Sequence, residues 1–213
     1  MKRLAIIGAG DLGEMIAYHA VNDKQYTIIG FYDDFINKGA VIHGYNVLGK
    51  TDNLQEDFDS GLFDYIMVGI GYKFMTFRKM IFEKYYGKIP FGNIIHSSAY
   101  VDNSVRMGEG VFILPGCTID KHVRIGNNVL INTAAVIAHD SEIRNHCFIS
   151  PAANIAGKTI IMDCCIIGIN ATIIDNLTIG SNIQVAGGSV VIKNLSETGL
   201  YAGVPAIFKK KLI

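Results

Sequence analysis

From Val101 to Val191, every sixth position is aliphatic or methionine: Val101, Met107, Ile113, Ile119, Ile125, Ile131, Ile137, Ile143, Ile149, Ile155, Ile161, Ile167, Ile173, Ile179, Val185 and Val191. The register does not break. Neither the 3.6-residue period of a helix nor the two-residue period of a strand selects only every sixth residue. Four residues after these positions stand mostly small side chains, among them Cys117, Ala135, Ser141, Cys147, Ala153, Thr159, Cys165, Ala171 and Ser189. The two patterns predict a left-handed parallel β-helix from about Tyr100 to Leu195, a triangular prism in which each step makes one short strand and one corner. Three steps close a coil of about 18 residues, a period that marks stacked repeats. The aliphatic residue points inward, the small one fills the space before the next corner, and the two residues between them face out. Gly108, Gly126, Gly168 and Gly180 follow aliphatic positions and are expected to supply φ freedom at tight corners. Cys117, Cys147 and Cys165 read as core filler, and Cys164 as an exposed neighbour. A sandwich with irregular turns would not keep this register over some 90 residues.

The first 95 residues follow a different pattern. Leu4-Ala5-Ile6-Ile7 is a continuous apolar run, as in a buried parallel strand. Gly8-Ala9-Gly10-Asp11-Leu12-Gly13 follows, a GxGxxG. A helix from Leu12 to about Asn22 and a strand from Tyr26 to Phe31 come next, ending at Tyr32-Asp33-Asp34. This is the order of a nucleotide-binding βαβ unit. The glycines admit a phosphate to the helix N-terminus, and carboxylates about 20 residues on accept from ribose or base. A strand at Tyr65 to Gly69 and a helix from about Phe74 to Tyr86 complete a half-Rossmann βαβαβ domain over 1–95, ahead of the β-helix and tail over 96–213. Half a dinucleotide fold suits a single nucleotide and disfavours NAD.

Composition narrows the function. Lys plus Arg equals Asp plus Glu, 19 each, which argues against nucleic-acid binding. No apolar run approaches the ~20 residues of a membrane helix, and the N-terminus reads as a strand rather than a signal peptide. Four cysteines without a CxxC pair indicate neither a disulfide framework nor a zinc site, so the expected compartment is the cytoplasm. No cluster has metal-ligand spacing. His96, His122 and His146 read as surface residues, and Lys209-Lys210-Lys211 as a solvated tail.

Ile131-Asn132-Thr133, Ile137-Ala138-His139-Asp140, Ser150-Pro151-Ala152, Ala156-Gly157, Gly168-Ile169-Asn170, Ala186-Gly187-Gly188 and Ala202-Gly203-Val204-Pro205-Ala206 together resemble the bacterial sugar O-/N-acyltransferases of the PglD and NeuD type. The resemblance extends over nearly the whole chain. It implies acetyl-CoA as co-substrate and no metal. It also implies a nucleotide-linked amino sugar held by Gly8, Gly10, Gly13, Asp33 and Asp34. Further implied are a catalytic base at His139 supported by Asp140, acetyl-CoA contacts at Gly157, Ile169 and Gly187, and a homotrimer with sites between subunits. Phe148 stands where many relatives carry a second histidine.

His139 and Asp140 occupy the two outward positions after Ile137, where a base can meet substrate on the prism surface. An imidazole suits deprotonation of an amine or hydroxyl near neutral pH, and a backbone N–H near Gly157 is expected to meet the oxyanion. The reading is an acetyl-CoA-dependent N-acetyltransferase for a UDP- or dTDP-linked 4-amino-4,6-dideoxy sugar. The alternatives are O-acetylation of sialic acid or another sugar, and a non-catalytic trimeric partner in glycan synthesis.

Overall fold

The structure, a computed structural model, describes residues 1–212 and divides into two compact units, Met1–Ile94 and the chain from Ile95 onward. In the first, strands β1 (Lys2–Ile7), β2 (Tyr26–Tyr32), β3 (Val41–Ile42), β4 (Tyr45–Gly49) and β5 (Tyr65–Val68) form one sheet in the order β3-β4-β2-β1-β5. All neighbours run parallel except the β3–β4 hairpin. Helices α1 (Asp11–Asn22), α2 (Leu54–Asp59) and α3 (Met75–Tyr85) complete the unit. The hairpin and α2 have no counterpart in the sequence reading. Both are too short to show a period, and α2 buries only Leu54. The sheet turns at β1: β2 lies on one side and β5 on the other. The carboxyl ends of β1 and β5 therefore make a topological switch point, where open α/β sheets take ligands.

β6 (Ile94–Ile95) falls at the boundary, and the second unit continues with sixteen strands of two or three residues, β7 (Tyr100–Val101) to β22 (Val190–Val191), and a closing pair, β23 (Gly199–Ala202) and β24 (Ile207–Lys210). Each short strand pairs in parallel with the strand 18 residues away, for example Ile119 with Ile137 and Ile137 with Ile155. Three parallel stacks result, the faces of a left-handed β-helix. From Ile113 onward every aliphatic position of the repeat is buried.

Two expectations are corrected. The φ-positive corner residue lies three places after the aliphatic one and is seldom glycine: His122, Asn128, Ala134, Asp140, His146, Ala152, Lys158, Cys164, Asn170, Asn176 and Asn182 all have φ between 53° and 61°. This conformation accounts for the position of Cys164. Gly108, Gly126, Gly168 and Gly180 do not have positive φ. The first three are required instead by close stacking. A Cβ at 108 would lie 2.1 Å from Asn127 Oδ1, at 126 2.7 Å from Asn145 Oδ1, and at 168 2.5 Å from Gly187 N. The interior cysteines also do more than fill space. Cys117, Cys147 and Cys165 each place Sγ 3.0 Å from the carbonyl 15 residues on, and Ser141 and Thr159 donate to the equivalent carbonyls. The small position thus supplies a donor to a carbonyl the ladder leaves over.

Candidate active site and nucleotide site

His139 and Asp140 stand on the corner between β13 (Val136–Ile137) and β14 (Glu142–Ile143). His139 Nδ1 lies 2.9 Å from Asp140 Oδ2. An ionised carboxylate only accepts, so this bond assigns the proton to Nδ1 and leaves a lone pair on Nε2. Nε2 has no hydrogen-bond partner among the described residues. The bond from His139, and a second from His122, hold the Asp140 carboxyl below the usual carboxylate range.

The His139 ring lies over Gly157, one coil on. A Cβ at 157 would stand 2.8 Å from both Cε1 and Nε2. The backbone locks the two corners together: Lys158 N–H donates to His139 O at 3.0 Å. The Gly157 N–H has no partner among the described residues, and Gly157 itself is buried against the His139 ring. Beside this corner an open groove of about 790 Å³ is lined by residues that include Arg106, His122, Arg124, Asp140, Glu142 and Lys158.

Ile169 and Gly187 lie on a different corner, between the β18 (Ile166–Ile167) and β19 (Thr172–Ile173) faces and one coil beyond it. There Gly188 N–H donates to Ile169 O, a Cβ at 187 would sit 3.2 Å from that oxygen, and the Ile169 side chain is 62 % exposed. The structure thus brings Gly157 to His139, and Ile169 to Gly187, on two corners of one prism. Phe148 is buried, in register with Leu130 and Ile166.

In the first unit the glycine turn is a close-packed knot. Gly8 has φ +96°. A Cβ on Gly13 would fall 2.1 Å from Gly8 O, and one on Gly69 2.7 Å from Gly13 Cα. Gly10 caps α1 and faces open space. The three motif glycines therefore supply the turn, an open approach to the helix N-terminus and the helix–strand packing of this βα junction. Gly69, at the end of β5, belongs to this knot and was missed in the sequence, where it reads as the end of a strand. The acid pair carries structural duties that no spacing shows. Asp33 Oδ2 accepts from Ala9 N–H at 3.0 Å and Oδ1 from Phe35 N–H at 2.9 Å. Asp34 accepts from Thr51 N–H at 2.8 Å and from its hydroxyl. Each carboxylate keeps lone pairs for a ligand.

All three histidines read as surface residues are engaged, His96 Nδ1 accepting from Ser98 N–H at 3.1 Å. His146 is 6 % exposed, its Nδ1 3.0 Å from Asn128 Nδ2. His122 contacts Asp140. Lys209, Lys210 and Lys211 are exposed as expected.

A parallel β-helix bearing an imidazole–carboxylate pair on one corner, preceded by a half-Rossmann unit, defines the class: hexapeptide-repeat sugar acyltransferases. Residues 3–85 match the family model of the PglD N-terminal domain. A search of the curated proteins finds no match. Among solved structures, a GDP-perosamine N-acetyltransferase from Caulobacter crescentus, solved as a histidine-to-alanine variant with CoA and GDP-perosamine, is 29% identical. Its TM-score is 0.91, over 99% of this chain and 98% of that one. The acetyltransferase domain of PglB from Neisseria gonorrhoeae FA1090 is 28% identical with a TM-score of 0.89, over 98% and 100%. WeeI from Acinetobacter baumannii AYE shares the fold at 22% identity and TM-score 0.84, over 98% and 100%. The PglD N-terminal domain over residues 3–85 and the similarity of the whole chain to these sugar N-acetyltransferases support an acyltransferase of the PglD and NeuD type.

Proposed function

We propose that this protein is an acetyl-CoA-dependent N-acetyltransferase acting on a nucleotide-linked amino sugar, with His139 as general base. The observation that carries the reading is the His139–Asp140 pair, with Nε2 uncommitted and the ring seated over Gly157. CoA and a nucleotide-linked amino sugar accompany the Caulobacter relative, and the PglB domain has been solved with acetyl coenzyme A.

The chemistry follows from the placement. The sugar nitrogen attacks the thioester carbon as His139 Nε2 takes its proton, so that a C–N bond forms and charge develops on the carbonyl oxygen. Gly157 N–H meets that charge. When the C–S bond breaks, the His139 imidazolium returns the proton to the departing sulfur, so amine and thioester become amide and thiol. Asp140 holds the ring in the productive tautomer and stabilises its transient positive charge. Ile169 offers an exposed apolar surface, and Gly187 a backbone open to close approach, for the acyl donor. Gly8, Gly10 and Gly13, with Asp33 and Asp34, are assigned to the nucleotide.

We read the assembly as a homotrimer, since elements assigned to one acyl-donor site lie on two corners of a single chain. All four cysteines are free thiols, which supports a reducing cytoplasmic compartment. No helix among the described residues is long and apolar enough to cross a membrane.

The test is mass spectrometry of protein incubated with acetyl-CoA and a panel of UDP-, dTDP- and GDP-linked 4-amino sugars, beside His139→Asn. The sequence reading names UDP or dTDP, whereas the Caulobacter relative carries GDP-perosamine, and the panel decides between them. The expected result is acetylated product from one nucleotide sugar, reduced in the variant by about the 10²–10⁴-fold that a general base contributes. No product from any amine would overturn the N-acetyltransferase reading. Equal product from the variant would remove His139 as base.

A further inference from the structure

His122 stands on the same edge of the prism as Asp140, one coil earlier, with the same left-handed corner conformation. Its Nδ1 lies 3.2 Å from Asp140 Oδ1, while His139 Nδ1 lies 2.9 Å from Oδ2. One carboxylate thus bridges two imidazoles, one oxygen to each. Since the ionised carboxylate has no proton to give, both rings present Nδ1–H to it. Asp140 and both histidine side chains are substantially exposed, at 41 %, 44 % and 61 %, so no core packing fixes the carboxylate. Its remaining rotational freedom is removed by its hydrogen bonds.

His122 is itself anchored. Its backbone N–H donates to Ser104 Oγ at 2.8 Å, and Ser104 Oγ donates to Asp102 Oδ1 at 2.6 Å. Arg124, Glu142 and Lys158 line the same groove without a hydrogen bond to either oxygen of Asp140.

We propose that His122 is a positioning residue for the base. It pins Asp140 Oδ1 so that Oδ2 stays turned to His139 Nδ1, and the imidazole is thereby kept in the tautomer whose Nε2 faces the substrate. The inference rests on the assignment of His139 as base. It names a residue that acts only through another: His122 touches Asp140, and Asp140 touches His139. Without His122, a carboxylate held by one exposed neighbour rotates freely about its side-chain torsions. The Nδ1–H and Nε2–H forms of His139 then both populate, and only the first has its lone pair in the right place.

The helix supplies well-matched variants. Ala134 and Ala152 occupy equivalent corners with φ 58° and 54°, and Asn128, Asn170, Asn176 and Asn182 do so with φ 53° to 60°. His122→Ala removes the donor, and His122→Asn replaces it with an amide N–H, in a backbone conformation this protein already gives to both residues. Two readouts are taken: steady-state kinetics with the nucleotide sugar identified by the panel, and ¹⁵N NMR of the His139 ring in the free protein. His122→Ala is expected to lower kcat roughly tenfold, less than the ~10²–10⁴-fold that the general base itself contributes, with both KM values within about twofold. The NMR spectrum should pass from a single Nδ1–H tautomer to a mixture. His122→Asn should recover most of both signals. In an Asp140→Asn background His122→Ala should cost nothing further, because a residue acting through another shows full coupling in a double-mutant cycle.

An unchanged His139 tautomer and kcat in His122→Ala would overturn the proposal. So would losses that add to those of Asp140→Asn. The NMR readout needs no turnover. A wild-type protein that acetylates nothing therefore defeats the reaction assigned above, while the tautomer measurement still decides the role of His122.

Discussion

At the residue scale, the site depends on an absence as much as on a side chain. Gly157 carries no Cβ where the His139 ring sits. Gly157→Ala is expected to displace the imidazole by part of an ångström while leaving the corner backbone intact. A misplacement of about 1 Å costs about 10²-fold in rate, so a loss of up to that size is expected. The measurement is kcat for the variant beside its circular dichroism, and full activity would show that the ring has another resting place. The resemblance assigned Gly157 to acetyl-CoA. Gly157 also makes room for the ring of His139, the proposed base, a contact that follows from stacking at 18-residue intervals and shows in no local motif. Asp140 shows the limit of reading strain as function. Its φ of 59° would mark a special residue elsewhere, yet ten other non-glycine corners of the same helix share that conformation.

At the element scale, the two units are held by different means. The β-helix is a column of buried aliphatics, so Ile149→Ala, in its interior, is expected to cost about 2–5 kcal/mol, read as a lower midpoint of denaturant unfolding. The βα junction of the first unit depends on backbone contact. In Gly13→Ala the new Cβ would meet Gly8 O at 2.1 Å, and a loss of about 3 kcal/mol is expected for overpacking of this kind, confined to the transition of the first unit. The amino end of β1 is tied to the approach to β5 by Arg3, which pairs with Asp64 at 2.6 Å and also donates its backbone N–H to it. Those hydrogen bonds hold the Asp64 carboxyl at about 2, below its unfolded value of about 3.9. A depressed folded value stabilises above the unfolded one and is lost as pH falls through the folded one. Asp64→Asn should therefore melt earlier than the parent at pH 7, and the two proteins should converge as pH is lowered from about 4 towards 2. A gap that persists at the acid end would place the contribution in packing.

At the scale of the whole molecule, the assignment of nucleotide to one unit and acyl transfer to the other makes separable predictions in calorimetry. A nucleotide diphosphate sugar at 100 times its Kd is expected to stabilise the first unit by about 2.7 kcal/mol. Acetyl-CoA is expected to act on the second. Asp33→Asn should abolish the first effect and spare the second. An unaltered nucleotide response in that variant would reduce Asp33 to its bond with Ala9 N–H. Light scattering across concentration tests the proposed trimer, and a monomer at every concentration would refute it.

The six-residue period was enough by itself to determine the β-helix, its interior residues and the outward placement of His139 and Asp140, because burial on a repeating prism leaves a repeating apolar mark. The strand, glycine-turn, helix and strand order likewise made the βαβ unit legible. Tertiary structure alone decided which residues meet. Contacts between coils join positions 18 apart, so the bond from His122 to Asp140, the ring over Gly157 and the packing of Gly69 on Gly13 lie outside any local window. The hairpin and the six-residue α2 carried no period because so few of their side chains are buried. The glycines of the repeat were placed correctly but explained wrongly. The pattern shows where a side chain is missing, and only the neighbouring coil shows that Gly108, Gly126 and Gly168 lack one to make room for it, while the left-handed corners fall mostly to asparagine, histidine and alanine, with Asp140, Lys158 and Cys164.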